Sequence, residues 1–253
     1  MTLQWLSIRE RLDREFRSES LARRFMQLAE TTRLIVDLGC GTGANLRYLS
    51  DHCKSSVPWR CVDCDEAVLA VAETKHLRSG GEFRKADLAT DFKSALPDAP
   101  FAVTASAFLD ITSKPWIGQL VEALQAAPLL ISMTTTGGPI WNPPDDLDQQ
   151  IEHCLASHRV NDHGFGAAAG TSACQVLADE LSMRGRTVEF KPTDWMLDAG
   201  ERDVIDFFIT GVVRRVSSEL SGDRLSEWLT IRRDQNSKGE LQLIIPHADL
   251  LSF

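Results

Sequence analysis

From Arg33 onward the chain alternates short apolar runs with stretches whose apolar residues recur every three or four positions. That is the pattern of strands alternating with helices. Leu34-Ile35-Val36-Asp37-Leu38 reads as a buried strand, followed by a glycine-rich turn and a helix through Leu46 and Leu49. After Pro58, Trp59-Arg60-Cys61-Val62-Asp63 reads as a second strand, and Asp65 is placed to cap a helix carrying Val68, Leu69 and Val71. Gly80-Gly81 breaks that helix, and Glu82-Phe83-Arg84-Lys85 is a short third strand. Phe101 to Ser106 is the fourth strand, Trp116 to Ala126 a helix, and Leu129 to Met133 the fifth strand. Strands and helices in this order imply a parallel sheet with helices on both faces. Ligands of such sheets bind at the carboxyl ends of the strands, near the topological switch.

The flanks read differently. Trp5, Ile8, Leu12 and Phe16 share one face of an N-terminal helix, and Ser18 and Ser20 offer caps for a second helix with Leu21, Phe25 and Leu28 on one side. These helices are either core packing or a lid, since they immediately precede the first strand. After Met133 the rhythm is lost through Gly137-Gly138-Pro139, Asn142-Pro143-Pro144 and a helix around Leu147 to His158, as far as Gly170. An irregular insertion at the ligand edge of a sheet is more often a functional cover than a linker. A helix (Ser172–Arg184), a strand (Thr187–Lys191), two helices (Glu201–Ser217 and Asp223–Arg233) and a last strand, Leu241 to Ile245 ended by Pro246, complete the chain. The expected fold class is α/β: a doubly wound, mostly parallel seven-stranded sheet with helices on both faces, an N-terminal helical lid and an insertion after strand 5. One domain spanning 1–253 is expected: helices over 1–30, a ligand-binding core over 31–133, a substrate cover over 134–170 and the rest of the sheet with its helices over 171–253.

Composition narrows the function. The chain has 253 residues, 43% hydrophobic and 25% charged, as expected of a globular protein with a substantial core. With 27 basic against 36 acidic residues the net charge is −9, which argues against general nucleic-acid binding. Six cysteines in a chain of this length do not make a disulfide scaffold. Cys61 and Cys64 form a CxxC, but only the isolated Cys53 lies nearby, so no metal is expected. No apolar run reaches the length of a membrane span. The first 30 residues include Arg9, Glu10, Arg11, Asp13, Arg14 and Glu15, so they do not read as a signal peptide and a cytoplasmic location is expected. The oligomeric state leaves no mark on the sequence.

The chemistry concentrates at Asp37-Leu38-Gly39-Cys40-Gly41-Thr42-Gly43, between a strand and a helix. Glycines are needed there because the backbone turns sharply and a ligand must lie against main-chain atoms without a Cβ between. The helix start behind them presents free N–H groups. An acid closes the next strand: Asp63, twenty residues after Gly43, where a carboxylate accepts hydrogen bonds from ribose hydroxyls. The spacing G-x-G-x-G departs from the G-x-G-x-x-G with which nicotinamide enzymes hold a pyrophosphate at the helix start.

This turn resembles motif I of class I S-adenosylmethionine-dependent methyltransferases. Val62-Asp63-Cys64-Asp65 resembles that family's second motif, Ala86-Asp87-Leu88 its adenine-contacting motif, and Thr104-Ala105-Ser106-Ala107 the end of its fourth strand. The resemblance covers about Arg33 to Met133. It implies a Rossmann-like fold with S-adenosylmethionine as cofactor, held by Asp37, Gly39, Cys40, Gly41, Gly43, Asp63, Cys64, Asp87, Leu88 and Ser106. The glycines would lie under the methionine portion, Asp37 would help position its amino group, and Asp87 with the Leu88 backbone would meet the adenine. Asp87 also reads as a turn-forming residue after a strand.

Two candidates remain for the reaction itself. Asp110, in Ala107-Phe108-Leu109-Asp110, either faces the substrate or caps the helix near Thr112–Trp116. His163, in a glycine-flanked loop, is either a general base or a surface residue. Asn142-Pro143-Pro144 resembles the tetrad of amino-group methyltransferases but follows the fifth strand rather than the fourth, and Asp145 replaces the aromatic residue. Methyl transfer is a direct displacement in which the protein mainly aligns the partners. The resulting expectation is a methyltransferase acting on a small molecule through an O, N or C acceptor, with Trp141, Phe165 and Trp5 as apolar walls. The rivals are a non-catalytic cofactor-binding or interaction protein of the same fold and, further off, a nicotinamide-dependent oxidoreductase.

Overall fold

The computed structural model describes residues 3–52, 55–76, 81–220 and 222–253. Cys53 and Gly80, invoked above, lie outside the described residues. Two helices come first, α1 (Leu3–Phe16) and α2 (Glu19–Ala29). The Leu21 N–H donates to Ser18 Oγ and caps α2. The alternation then follows as β1 (Leu34–Leu38), α3 (Ala44–His52), β2 (Trp59–Asp63), α4 (Glu66–His76), β3 (Glu82–Lys85), α5 (Leu88–Asp91), β4 (Phe101–Ser106), α6 (Lys114–Leu124) and β5 (Leu129–Thr135). Beyond it lie β6 (Ile140–Asn142), α7 (Asp148–Arg159), α8 (Ala173–Met183), β7 (Val188–Pro192) and β8 (Trp195–Leu197), then α9 (Arg202–Val216), α10 (Asp223–Lys238), β9 (Gln242–Ile245) and β10 (His247–Ser252).

The main sheet has seven strands in the order β3-β2-β1-β4-β5-β10-β7. The pairs from β3 to β5 are parallel, and β10 runs antiparallel to both its neighbours. The mostly parallel, seven-stranded expectation therefore stands. Alternate residues of each central strand feed opposite faces, as strand geometry requires. Val36, Leu38, Val103 and Ile131 pack with α6 and α8, while Ile35, Ala102 and Leu130 pack with α2 and α3. Strand order reverses between β1 and β4, so their carboxyl ends open a crevice there.

A third apolar cluster stands apart from both faces. It joins α7, α9 and α10 to a second sheet, β6-β9-β8, which is antiparallel throughout. Its polar hub is Arg232, fully buried against the rings of Trp141 and Trp228. Arg232 Nη2 donates to both Asp148 oxygens at 2.7 and 2.6 Å, and Nη1 to the Pro143 carbonyl at 2.6 Å. Trp228 Nε1 donates to the same carboxylate at 2.8 Å.

One expectation is corrected. The segment 241–245 is a strand, but of the small sheet, and the seventh strand of the main sheet is β10, immediately beyond Pro246. His247, Asp249 and Ser252 disguise β10 as a polar tail, yet all six of its residues are buried. Asp249 is held there by the N–H groups of Met133 (2.8 Å) and Ser18 (3.0 Å). The small sheet itself was not foreseen, because three-residue strands such as β6 and β8 carry almost no periodicity.

Candidate active site

The glycine turn at the end of β1 is held by β2. The Gly39 and Cys40 N–H groups donate to the Val62 carbonyl at 2.9 and 3.0 Å. Gly39, Gly41 and Gly43 all have positive φ, +68°, +53° and +78°, a region side chains disfavour. At Gly39 a Cβ would also stand 2.5 Å from the Phe108 ring, whereas at Gly41 it would meet nothing within 4 Å. The turn thus packs its first glycine against Phe108 and leaves its second open to the crevice. The Asp63 carboxylate braces it, accepting from the Gly41 N–H at 2.9 Å and the Asp65 N–H at 3.0 Å. A carboxylate has about four acceptor positions, so two remain for a ligand.

Over this turn lies a cavity of about 330 Å³. Its floor is Gly39 to Thr42. One wall is Asp63, Cys64, Asp65 and Val68, another is Ala86, Asp87 and Leu88, and a third is Ser106, Ala107, Phe108 and Ile111. His163 and Phe165 of the insertion close one side, and α1 roofs it with Leu6, Arg9, Glu10, Asp13 and Arg14, joined by Arg17 just past its end. Polar latches hold the roof down. Arg47 of α3 donates to both Glu10 oxygens, at 2.6 and 2.7 Å, and to the Thr42 carbonyl at 2.7 Å. Arg14 pairs with Asp51 at 2.7 Å, and Arg11 with Glu201.

Of the residues singled out from the sequence, Gly39, Cys40, Gly41, Asp63, Cys64, Asp87, Leu88, Ser106 and His163 share this cavity. Asp87 does what a turn-forming residue does, its Oδ1 accepting from the Ala89 N–H at 2.9 Å to cap α5, while also lining the wall. Cys40 sits against Cys61, and that neighbouring thiol together with burial pushes the Cys40 thiol up, away from thiolate. Gly43, Asp37 and Asp110 are outside the lining. Asp110 occupies the turn Leu109–Ile111, and the cap of α6 is Ser113, whose Oγ accepts from the Trp116 N–H. Of the expected apolar walls only Phe165 serves. Trp141 and Trp5 pack in or against the third cluster, Trp5 stacked on Phe207.

Asp37 lies behind the wall. It is fully buried, its Oδ1 accepts from Asn45 Nδ2 at 2.8 Å, and Oδ2 has no partner among the described residues. Burial pushes its carboxyl up to about 7. Asn45 and Arg17, which do line the cavity, stand in front: Arg17 Nη2 donates to Asn45 Oδ1 at 2.7 Å. The sequence reading missed the polar face of α1 as part of the site. Arg9, Asp13 and Arg17 recur at four-residue spacing, but that pattern also describes a solvated helix face. Ala107, directly after β4, has φ +55° without being glycine. Strain of this kind gathers at functional positions.

Among the described residues no group of His, Cys, Asp or Glu could hold a metal ion, and no helix is long and apolar enough to cross a membrane. Residues 35–127 match the family model described as a methyltransferase domain. The fold is similar to that of the YcgJ protein of Bacillus subtilis, with a TM-score of 0.53 at 14% identity, over 93% of this chain and 97% of that one. It is also similar to a candidate methyltransferase from Bacillus halodurans C-125, with a TM-score of 0.50 at 15% identity, over 93% and 97% of the two chains. No curated protein sequence matches the chain.

Proposed function

We propose that this chain, whose residues 35–127 match a methyltransferase domain and whose fold is similar to that of a candidate methyltransferase, passes the methyl group of S-adenosylmethionine to a small-molecule acceptor. The observation that carries this reading is the pairing of an open glycine turn with a braced acid across one cavity. Gly41 lets a ligand lie on the backbone, and Asp63 keeps two acceptor positions for a ribose diol. The remaining walls suit the same molecule. Val68 and Leu88 are apolar surface for a base, with the Asp87 carboxylate beside them.

The cofactor brings its own electrophile, so the protein's task is alignment and the exclusion of water. α1 supplies that exclusion from above, and Phe108 and Phe165, edge to face with centroids 5.6 Å apart, form an apolar wall. His163 is the imidazole on the lining, and in this reading it takes a proton from an acceptor hydroxyl or amine. Asp110, outside the lining, contributes at most to positioning. The roof formed by α1 encloses the cavity, which favours a small organic acceptor over a macromolecule.

Calorimetric titration with S-adenosylhomocysteine tests the cofactor. Wild type should bind with micromolar or tighter affinity, Asp63→Ala should bind at least about tenfold more weakly, and NAD should not bind. Failure of folded wild-type protein to bind the product would refute the methyltransferase reading, and NAD binding in its place would favour an oxidoreductase. Binding without methyl transfer to any acceptor in an extract would favour a non-catalytic cofactor-binding protein.

A further inference from the structure

The roof helix carries charges that the fold leaves incompletely used. Arg17 is only 7% exposed, yet it lines the cavity. Its guanidinium lies over the Tyr48 ring at 4.2 Å and spends Nη2 on Asn45. Nε is enclosed without a partner, and Nη1 has no hydrogen-bond acceptor among the described residues. Four residues earlier, on α1, Asp13 also lines the cavity. Its Oδ2 meets Arg9 Nε at 3.3 Å and its Oδ1 has no partner among the described residues. An arginine this buried is costly unless its donors are matched, so a cation and an anion with spare capacity, side by side on one wall, describe a binding surface.

Both signs are present, and the balance is informative. Asp13, Asp37 and Asp249 all lie within electrostatic reach of Arg17. A bare anion entering here would meet the Asp13 carboxyl, with two more carboxyls behind the wall, and a bare cation would meet the Arg17 guanidinium. A zwitterion, with carboxylate and ammonium on one carbon, satisfies both sides. We propose that Asp13 of α1 and Arg17, just past the end of that helix, form a subsite for an α-amino-acid zwitterion, Arg17 taking the carboxylate and Asp13 the ammonium. Resting on the cofactor reading above, the occupant is the methionine end of S-adenosylmethionine. The roof helix, rather than Asp37 at the end of β1, then makes the direct contacts. Asp37 acts one step back, through Asn45, which it holds in place for Arg17.

Two ligands separate this subsite from the rest of the pocket: S-adenosylhomocysteine, which carries the zwitterion, and 5′-methylthioadenosine, which lacks it. Hydrogen bonds to charged groups contribute about 1.5–3 kcal/mol each, or roughly ten- to a hundredfold in affinity. Wild type should therefore prefer S-adenosylhomocysteine by at least about tenfold. Arg17→Met, which keeps a stem over Tyr48, and Asp13→Asn should each weaken S-adenosylhomocysteine by about tenfold while leaving 5′-methylthioadenosine within about twofold. Equal binding of the two ligands by wild type would overturn the subsite and leave the cofactor reading standing. Binding of neither would remove the cofactor reading and the subsite with it. Arg17 also supports Asn45, so a general loss in Arg17→Met would reflect a shifted turn. Asp13, whose only side-chain hydrogen bond among the described residues is to Arg9 on its own helix, then decides: loss of both ligands alike, or of neither, in Asp13→Asn overturns the proposal.

Discussion

Asp37 and Asp63 close adjacent strands and were both legible as acids beside the glycine turn, but the structure gives them opposite environments. Asp63 reaches the cavity and spends its oxygens on backbone N–H groups. Asp37 is sealed behind Asn45, and burial holds its carboxyl at about 7 instead of 3.8. The folded protein therefore keeps a proton that the unfolded chain has already released between those two pH values. Stability contributed by the neutral form is fully present below about pH 4 and is lost as pH rises towards 7. Asp37→Asn, which mimics the neutral carboxyl, removes this loss. Its stability by urea denaturation should overtake wild type progressively from pH 5 to pH 8, by an amount on the order of a few kcal/mol. A difference that stays constant with pH would show that Asp37 is ionised throughout. No sequence pattern distinguishes the two acids, since the distinction is which of them α1 and Asn45 cover.

At the scale of elements, an N-terminal helical lid was expected, but not that the polar face of α1 would line the cavity. Its apolar stripe was readable, and Leu12 does sit in the third cluster with Trp5, Ile8 and Phe16 packed against it. Its opposite face roofs the cavity instead of meeting solvent, because Arg47 and Asp51 of α3 offer partners to Glu10 and Arg14. Such half-exposed pairs contribute up to about 1 kcal/mol each. They hold a lid that can still lift. Glu10→Gln should accordingly raise the dissociation rate of S-adenosylhomocysteine by about two- to fivefold, with association changed less, as stopped-flow measurement would show. An unchanged dissociation rate would mean that the ligand leaves without α1 moving.

Over the whole molecule, the chain builds two kinds of interior. The sheet buries apolar side chains on both faces, whereas the region formed by α7, α9, α10 and the small sheet is organised around the Arg232–Asp148 pair packed against two tryptophans. Removing one partner of a buried ion pair leaves the other uncompensated. Arg232→Ala should cost on the order of 3–5 kcal/mol in chemical denaturation. A cost below about 1 kcal/mol would show that the tryptophans alone hold this region. Nothing marked Arg232 in advance. It lies near the end of a charged helix of low apolar content and became a core residue only because Pro143, Asp148 and Trp141 close over it.

The sequence by itself determined the order of strands and helices from Arg33 to Met133, the glycine turn and the acid that faces it. These are local facts: apolar runs, residues that tolerate positive φ, and a fixed spacing from one strand end to the next. What only the tertiary structure decided was which polar residues are inside. β10 joins the sheet despite His247 and Asp249 because Ser18 and Met133 supply donors from 231 and 116 residues away. Asp110 falls outside the cavity, while Arg17 and Asp13 enter it by the docking of α1. A polar side chain is buried when distant groups arrive to satisfy it, and no window of neighbouring residues contains those groups.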